Sequence, residues 1–112
     1  MKQKKFIINE KILTIEIADT FLKRLRGLMF RRRLESSHGL LITPCNSIHM
    51  MFMFFKIDAV YLDKNFVIKK IVRNLTPFIS LSMCLEADSV LELNGGEAQN
   101  FNLQVGQKFL QC

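Results

Sequence analysis

The sequence predicts an α+β domain made mainly of antiparallel β-strands, with a strongly bent sheet or partly closed barrel and one short amphipathic helix. Three observations predict it. Seven or eight short apolar runs carry the two-residue period of strands, one segment alone switches to the helical period, and turn-forming residues separate the runs. At 112 residues with 49% hydrophobic and 23% charged side chains, the chain has the length and composition of a single domain, 1–112, folded around one core.

Lys4–Ile8 and Ile12–Ile17 are β-branched runs on either side of Asn9-Glu10-Lys11, which reads as an opening hairpin. Phe21, Leu22, Leu25, Leu28 and Met29 then fall at helical spacing with Lys23, Arg24 and Arg26 between them. That pattern predicts a helix over residues 19–30, capped by Asp19 or Thr20, with its apolar stripe buried on the sheet and Gly27 on the polar side. Arg31 to His38 reads as a loop, and Gly39 to Thr43 as a strand stopped by Pro44. Cys45 to His49 is expected as a connector and Met50 to Phe55 as a strand that is apolar on both faces, either central or opening on a groove. Ala59–Leu62 and Phe66–Arg73 form a second hairpin around Asp63-Lys64-Asn65, with Asn65 expected in the left-handed region. Ser89–Leu93 and Lys108–Leu110 complete the strands, separated by the Gly95-Gly96 turn and Gly106.

The net charge of +6 is unevenly distributed. Residues 1–33 hold ten Lys/Arg against three Asp/Glu, and six of those cations lie between Lys23 and Arg33. No aromatic interleaving or nucleic-acid motif accompanies them, so the segment reads as a solvated face capable of weak, non-specific anion binding. Met1-Lys2-Gln3-Lys4-Lys5 mimics a signal peptide's charged start, but Asn9, Glu10 and Lys11 interrupt the apolar stretch that follows. The most apolar window, Ile48–Leu62, contains His49, Lys56 and Asp58 and falls short of the roughly 20 residues a spanning helix needs. No membrane span is predicted. Three cysteines do not build a disulfide framework, which places the chain in a reducing, cytoplasmic setting.

Cys45 and His49 are the residues with chemistry to offer. A thiolate and an imidazole at this spacing, joined by Cys84, have the ligand types for zinc, but no second close pair such as C-x-x-C supports that reading. The same pair has the makings of a nucleophile and base, yet no oxyanion-hole glycine cluster adjoins Cys45. Met29, Met50, Met51, Met53 and Met83 are soft enough for copper. The phenylalanines interleaved with them point to core packing instead. No cofactor is expected. Asp58 and Asp63 fall on opposite strand faces and make a poor acid–base pair.

Arg26-Gly27-Leu28-Met29-Phe30-Arg31, Gly39-Leu40-Leu41, Cys45-Asn46-Ser47-Ile48-His49, Phe52-Met53, Ile57-Asp58 with Leu62-Asp63, and Leu91-Glu92-Leu93 with Gly96 stand in that order between about residues 18 and 110. In combination they resemble the prokaryotic family called domain of unknown function 192. The resemblance implies a compact, mainly β single domain and supplies no reaction. In that family a threonine usually follows the histidine, an arginine follows F-M and a proline precedes I-D; here Met50, Phe54 and Lys56 occupy those places. Losing the hydroxyl and the guanidinium weakens any polar or catalytic role beside His49. The expected function is a small non-enzymatic ligand- or protein-binding module. Its candidate binding residues, Arg26, Cys45, Asn46, His49, Met53 and Asp58, all lie in the resembling segments. The alternative is a metal-binding protein, holding the metal through Cys45, His49 and Cys84, or a thiol-dependent enzyme using Cys45 and His49.

Overall fold

The structure, a computed structural model, describes residues 2–112. Among these residues the elements run β1 (Gln3–Ile8), β2 (Lys11–Ala18), α1 (Phe21–Arg26), β3 (His38–Ile42), β4 (Ser47–His49), β5 (Ile57–Leu62), β6 (Ile68–Leu75), β7 (Leu81–Met83), β8 (Ser89–Asn94), α2 (Glu97–Asn100) and β9 (Leu110–Gln111). One curled sheet carries seven of the strands in the order β6-β5-β8-β3-β2-β1-β9, and β4 pairs with β7 in a separate ribbon.

The opening hairpin forms as expected. Ile8 pairs with Lys11, and Asn9 and Glu10 both take positive φ, 51° and 64°, as a two-residue connection compatible with right-handed strand twist requires. The pairing of β2 with β3 is parallel, because α1 and the loop after it carry the chain back between them. The other strand pairings in both sheets are antiparallel. The curl brings the two ends of the large sheet together. Val67 pairs with Lys108, Ile68 N–H donates to the Gln107 carbonyl at 2.8 Å, and Phe109 N–H donates to the Phe66 carbonyl at 3.0 Å. These bonds tie the start of β6 to the segment entering β9, giving a partly closed barrel.

Both faces of the central strands are buried. Leu13, Ile15, Leu41, Val60, Leu91 and Phe109 belong to the cluster on one face. Leu28, Leu40, Ile42, Met53, Tyr61 and Val90 belong to the cluster on the other. Every residue of β5 is buried, as is β8 from Ser89 to Leu93. Hydrophobic side chains therefore alternate between two covered surfaces, and only Asn94 at the end of β8 is partly open to solvent.

Three local expectations are corrected. The helix is shorter than the predicted 19–30. It runs from Phe21 to Arg26, starts where Thr20 Oγ1 accepts the Lys23 N–H at 3.3 Å, and stops at Gly27. Gly27 adopts φ 51°, ψ −126°, a conformation glycine reaches at little cost and other residues rarely enter. The chain turns there, so the continuous stripe read from the sequence is split. Leu28 is 1% exposed and docks on the core, whereas Phe21, Leu22 and Leu25 are 69%, 73% and 55% exposed. Second, Met50–Phe55 is a turn and not a strand. Met53 N–H donates to the Met50 carbonyl at 3.2 Å and Phe52 takes φ 60°, so Met50 and Met53 point inward while Met51, Phe52 and Phe54 stay exposed. The adjoining strand is the expected connector, as β4 includes Ser47 to His49. Third, the left-handed residue of the Asp63 turn is Phe66, at φ 62°, and not Asn65. Asp63 Oδ1 accepts the Asn65 and Val67 N–H groups at 2.8 and 3.0 Å and holds that turn closed.

Leu28→Ala should cost about 2–5 kcal/mol, since it empties a buried site. Leu25→Ala, on the exposed side of the same segment, should change stability by roughly 0.5 kcal/mol or less. Gly27→Ala should cost about 1–3 kcal/mol because alanine is strained at this backbone geometry. Thermal melts of the three variants together check the order.

Candidate functional site

A cleft of about 130 Å³ opens where α1, the connector after β3, β4 and β8 meet. Its lining includes Arg24 and Arg26 on α1, Gly27 just after it, Cys45, His49, Met53 and Glu92. Strand parity explains why Glu92 is there. Leu91 and Leu93 point to the barrel-side cluster, so Glu92 between them projects to the other face, beneath Gly27. Gly27 lies directly over the carboxyl: a Cβ there would stand 3.4 Å from Glu92 Oε1, an ordinary contact distance.

Glu92 is 3% exposed, and its Oε1 is fully shielded with no hydrogen-bond partner among the described residues. Burial pushes its carboxyl up to about 8, while Arg31 pulls weakly the other way. Arg31 itself is engaged elsewhere, bonded to Glu16 at 2.9 Å. At neutral pH Glu92 is therefore mostly a neutral acid, able to donate a hydrogen bond.

The predicted site residues divide. Arg26, Cys45, His49 and Met53 line the cleft. Asn46 sits in the exposed connector beside it, its carbonyl accepting the Cys84 N–H at 2.9 Å. Asp58 is fully buried and does not line the cleft; its carboxylate accepts N–H bonds from Asn74, Gly96 and Ala98 at 2.9, 3.0 and 2.9 Å. Those bonds fasten the start of α2 and the end of β6 to β5, so the structure gives Asp58 a structural task.

The Cys45 thiol donates to the Ser47 carbonyl at 2.9 Å, and His49 Nδ1 accepts the Met51 N–H at 3.1 Å. Each side chain thus bonds to nearby backbone, and neither bond joins the two. Burial raises the Cys45 pKa above its ordinary value, opposed by its bond to Ser47. Cys84 and Cys45 both pack against the Tyr61 side of the core, where the Tyr61 hydroxyl bonds Ser82 Oγ and burial raises its pKa to about 12. Among the described residues no three His, Cys, Asp or Glu side chains stand together as a metal site.

Beyond the cleft, an apolar groove of about 410 Å³ shares Ser47, Ile48 and His49 with it and continues along Leu81 and Met83 of β7. Phe30, Phe52, Phe54 and Phe78 form an exposed aromatic cluster nearby, with Phe30 stacked on Phe52 at 5.4 Å and Phe54 tilted against Phe78 at 6.0 Å.

Sequence reasoning missed Glu92 as a site residue. The signal was present in the alternation Leu91-Glu92-Leu93, which by itself describes a strand with one wet face. Only the layer formed by Gly27, Leu28 and Met53 turns that face into an interior.

The unfolded chain ionises Glu92 near 4.5 and the folded chain near 8, so between those values the folded state holds an extra proton. The stability this contributes is fully present below the lower value, falls as pH rises across the window by roughly 1 kcal/mol per pH unit, and levels off above the upper one. Urea denaturation of the native chain and of Glu92→Gln at about pH 5 and about pH 8.5 should show this slope in the first and not in the second.

Residues 4–110 match the family domain of unknown function 192, described as Uncharacterized ACR. The protein UPF0127 TK1120 of Thermococcus kodakarensis is 44% identical over 57 residues, covering 46% of this chain and 35% of the relative. A UPF0127 protein of Thermococcus gammatolerans is 44% identical over 55 residues, with 44% and 35% covered. The chain thus aligns with about a third of the length of these relatives. Two crystal structures share the fold. A candidate transcription regulator of Sinorhizobium meliloti 1021 superposes with a TM-score of 0.87 at 24% identity, covering 97% of this chain and 92% of its own. A protein of unknown function from Novosphingobium aromaticivorans gives 0.82 at 22%, covering 96% and 82%. With a family match that runs nearly the whole length of a single partly closed barrel, this chain belongs to the domain of unknown function 192 family.

Proposed function

We propose that the chain is a non-enzymatic binding module whose ligand enters the cleft between α1 and β8. The observation that carries this reading is the buried Glu92 carboxyl in the cleft wall, whose Oε1 has no partner among the described residues. A buried polar group without a partner costs roughly 1–3 kcal/mol, a cost that a bound ligand able to hydrogen-bond to it would offset. Apolar walls from Ile42, Ile48 and Met53 with few convergent polar groups are the usual composition of a small-ligand site. Arg26, Cys45, Asn46 and His49 form its rim and neighbourhood. The anchoring of Cys45 and His49 to separate backbone groups favours binding over thiol chemistry. Three free cysteines fit a reducing, cytoplasmic setting.

Ligand-observed NMR with a set of small acids, amides, amines and alcohols tests the reading, using Ser47→Trp as the blocked control. Ser47 is exposed and lines both the cleft and the groove, so tryptophan there should obstruct entry without disturbing the core. Binding should weaken by about ten-fold or more in the variant. Ligands bound equally well by both chains place the site elsewhere and overturn the reading.

The raised Cys45 pKa carries its own expectation. Iodoacetamide at neutral pH should label Cys45 more slowly than it labels glutathione, with the rate rising as pH rises, as read by mass spectrometry of the Cys45 peptide. Faster labelling that His49→Ala abolishes would favour the thiol-enzyme reading instead.

A further inference from the structure

We propose that the ligand of this cleft is a short aliphatic carboxylate, one oxygen hydrogen-bonded to the Glu92 carboxyl and its charge met by the Arg24 guanidinium at the rim. The inference rests on the binding reading above and names the class of ligand that the cleft selects.

Three features of the cleft converge on that class. The first is sign. Arg24 and Arg26 come from α1, and the lining contains no acid besides Glu92, so a cationic head would meet two guanidinium groups at the entrance. The second is the hydrogen-bonding role of Glu92. A neutral carboxyl at the back of the cleft has a proton to give, and a carboxylate oxygen is the strongest acceptor a small organic ligand offers. Glu92 is part of the cleft wall, and its Oε1 has no partner among the described residues. The third is size and polarity. A cavity of about 130 Å³ is close to the ~150 Å³ that takes up benzene, so it holds roughly six or seven heavy atoms. Leu28, Ile42, Ile48 and Met53 make its walls apolar. The adjoining apolar groove offers room for a somewhat longer tail.

Binding should depend on pH through Glu92. The ionisable groups around it are Arg24 and Arg26 from α1, Arg31 from the following loop, Cys45 from the connector, His49 from β4 and Tyr61 from β5. Burial keeps Cys45 a thiol and Tyr61 a phenol over most of the range in which Glu92 ionises. Once Glu92 is ionised it has no proton to donate and repels the ligand's own charge.

The experiment is a ¹⁵N chemical-shift titration of the whole chain with pentanoate, pentanamide and pentylamine at about pH 6.5 and about pH 9.5. Pentanoate is expected to shift the amides of Gly27, Cys45 and Glu92 at the lower pH, with affinity about ten-fold weaker at the higher. Glu92→Gln should keep pentanoate binding and lose that pH dependence, because the carboxamide donates at both values. Arg24→Gln should weaken pentanoate several-fold and leave pentanamide unchanged. This second variant decides the matter if Glu92→Gln loses native chemical-shift dispersion. Pentanamide or pentylamine binding in the cleft as tightly as pentanoate overturns the carboxylate assignment and leaves the binding reading standing. Silence of these amides toward all three probes overturns both.

Discussion

Covering both faces of β8 is the constraint on which the rest of this structure depends. Hydrogen-bonded between β3 and β5, this strand sends Leu91 and Leu93 into the barrel cluster and Val90 and Glu92 toward the layer above it. A sheet with one wet face would leave Glu92 an ordinary surface carboxylate. Here the connector after β3, the turn at Met50–Met53 and the segment after α1 fold over it, and the group loses its water. Desolvation then governs its protonation.

The covering layer is itself built from unusual backbone. Gly27 ends α1 in a conformation of positive φ, and from there Leu28 drops into the core. Gly27 also lines the cleft beside Glu92. One residue therefore terminates a helix, docks the segment that follows and shapes a cleft wall. The Met50–Met53 turn closes the other side by burying its first and last methionines, and the phenylalanines it turns outward join Phe30 and Phe78 in the exposed cluster. Phe54 belongs to that cluster, at the position where the family pattern usually has arginine. Exposed aromatic surface thus stands where a guanidinium would have offered hydrogen bonds, while Arg24 and Arg26 line the cleft.

Legibility in the sequence followed the length and regularity of each element. β1, β2, β3, β5, β6 and β8 are five to eight residues long and were readable from their alternation or apolar run, as was the hairpin at Asn9-Glu10. β4 and β7 have three residues each, too few for any period to show. α1 was recognisable as a helix, but its extent and burial were not. Spacing records which residues could share a face, whereas a left-handed glycine decides where that face ends. Cys45 and His49 stand out by residue type and Arg26 and Met53 by their place in the segments that resemble the family, and the structure sets all four around one cleft. Glu92 was passed over because burial of a charged residue is a property of what packs above it, not of its own strand. Asp58, which stands in the resembling segment Ile57-Asp58, is buried away from the cleft and bonds the start of α2.

The seam that β9 makes, with β1 on one side and through its entering segment with the start of β6 on the other, has a consequence for how the molecule assembles. Phe6 lies opposite Gln111, and Cys112 N–H reaches the Lys5 carbonyl at 2.9 Å, so the β1–β9 pairing joins residues almost a chain length apart. Such a contact demands the largest loop-closure entropy in the fold and returns only two paired positions. The β1–β2 and β5–β6 hairpins are local and can form early, whereas the seam gains support only once Phe109 is seated beside Phe66. Loosening should therefore begin at the seam and travel inward, and amide protons of β9 should exchange with solvent well before those of β5 and β8 at the doubly covered centre.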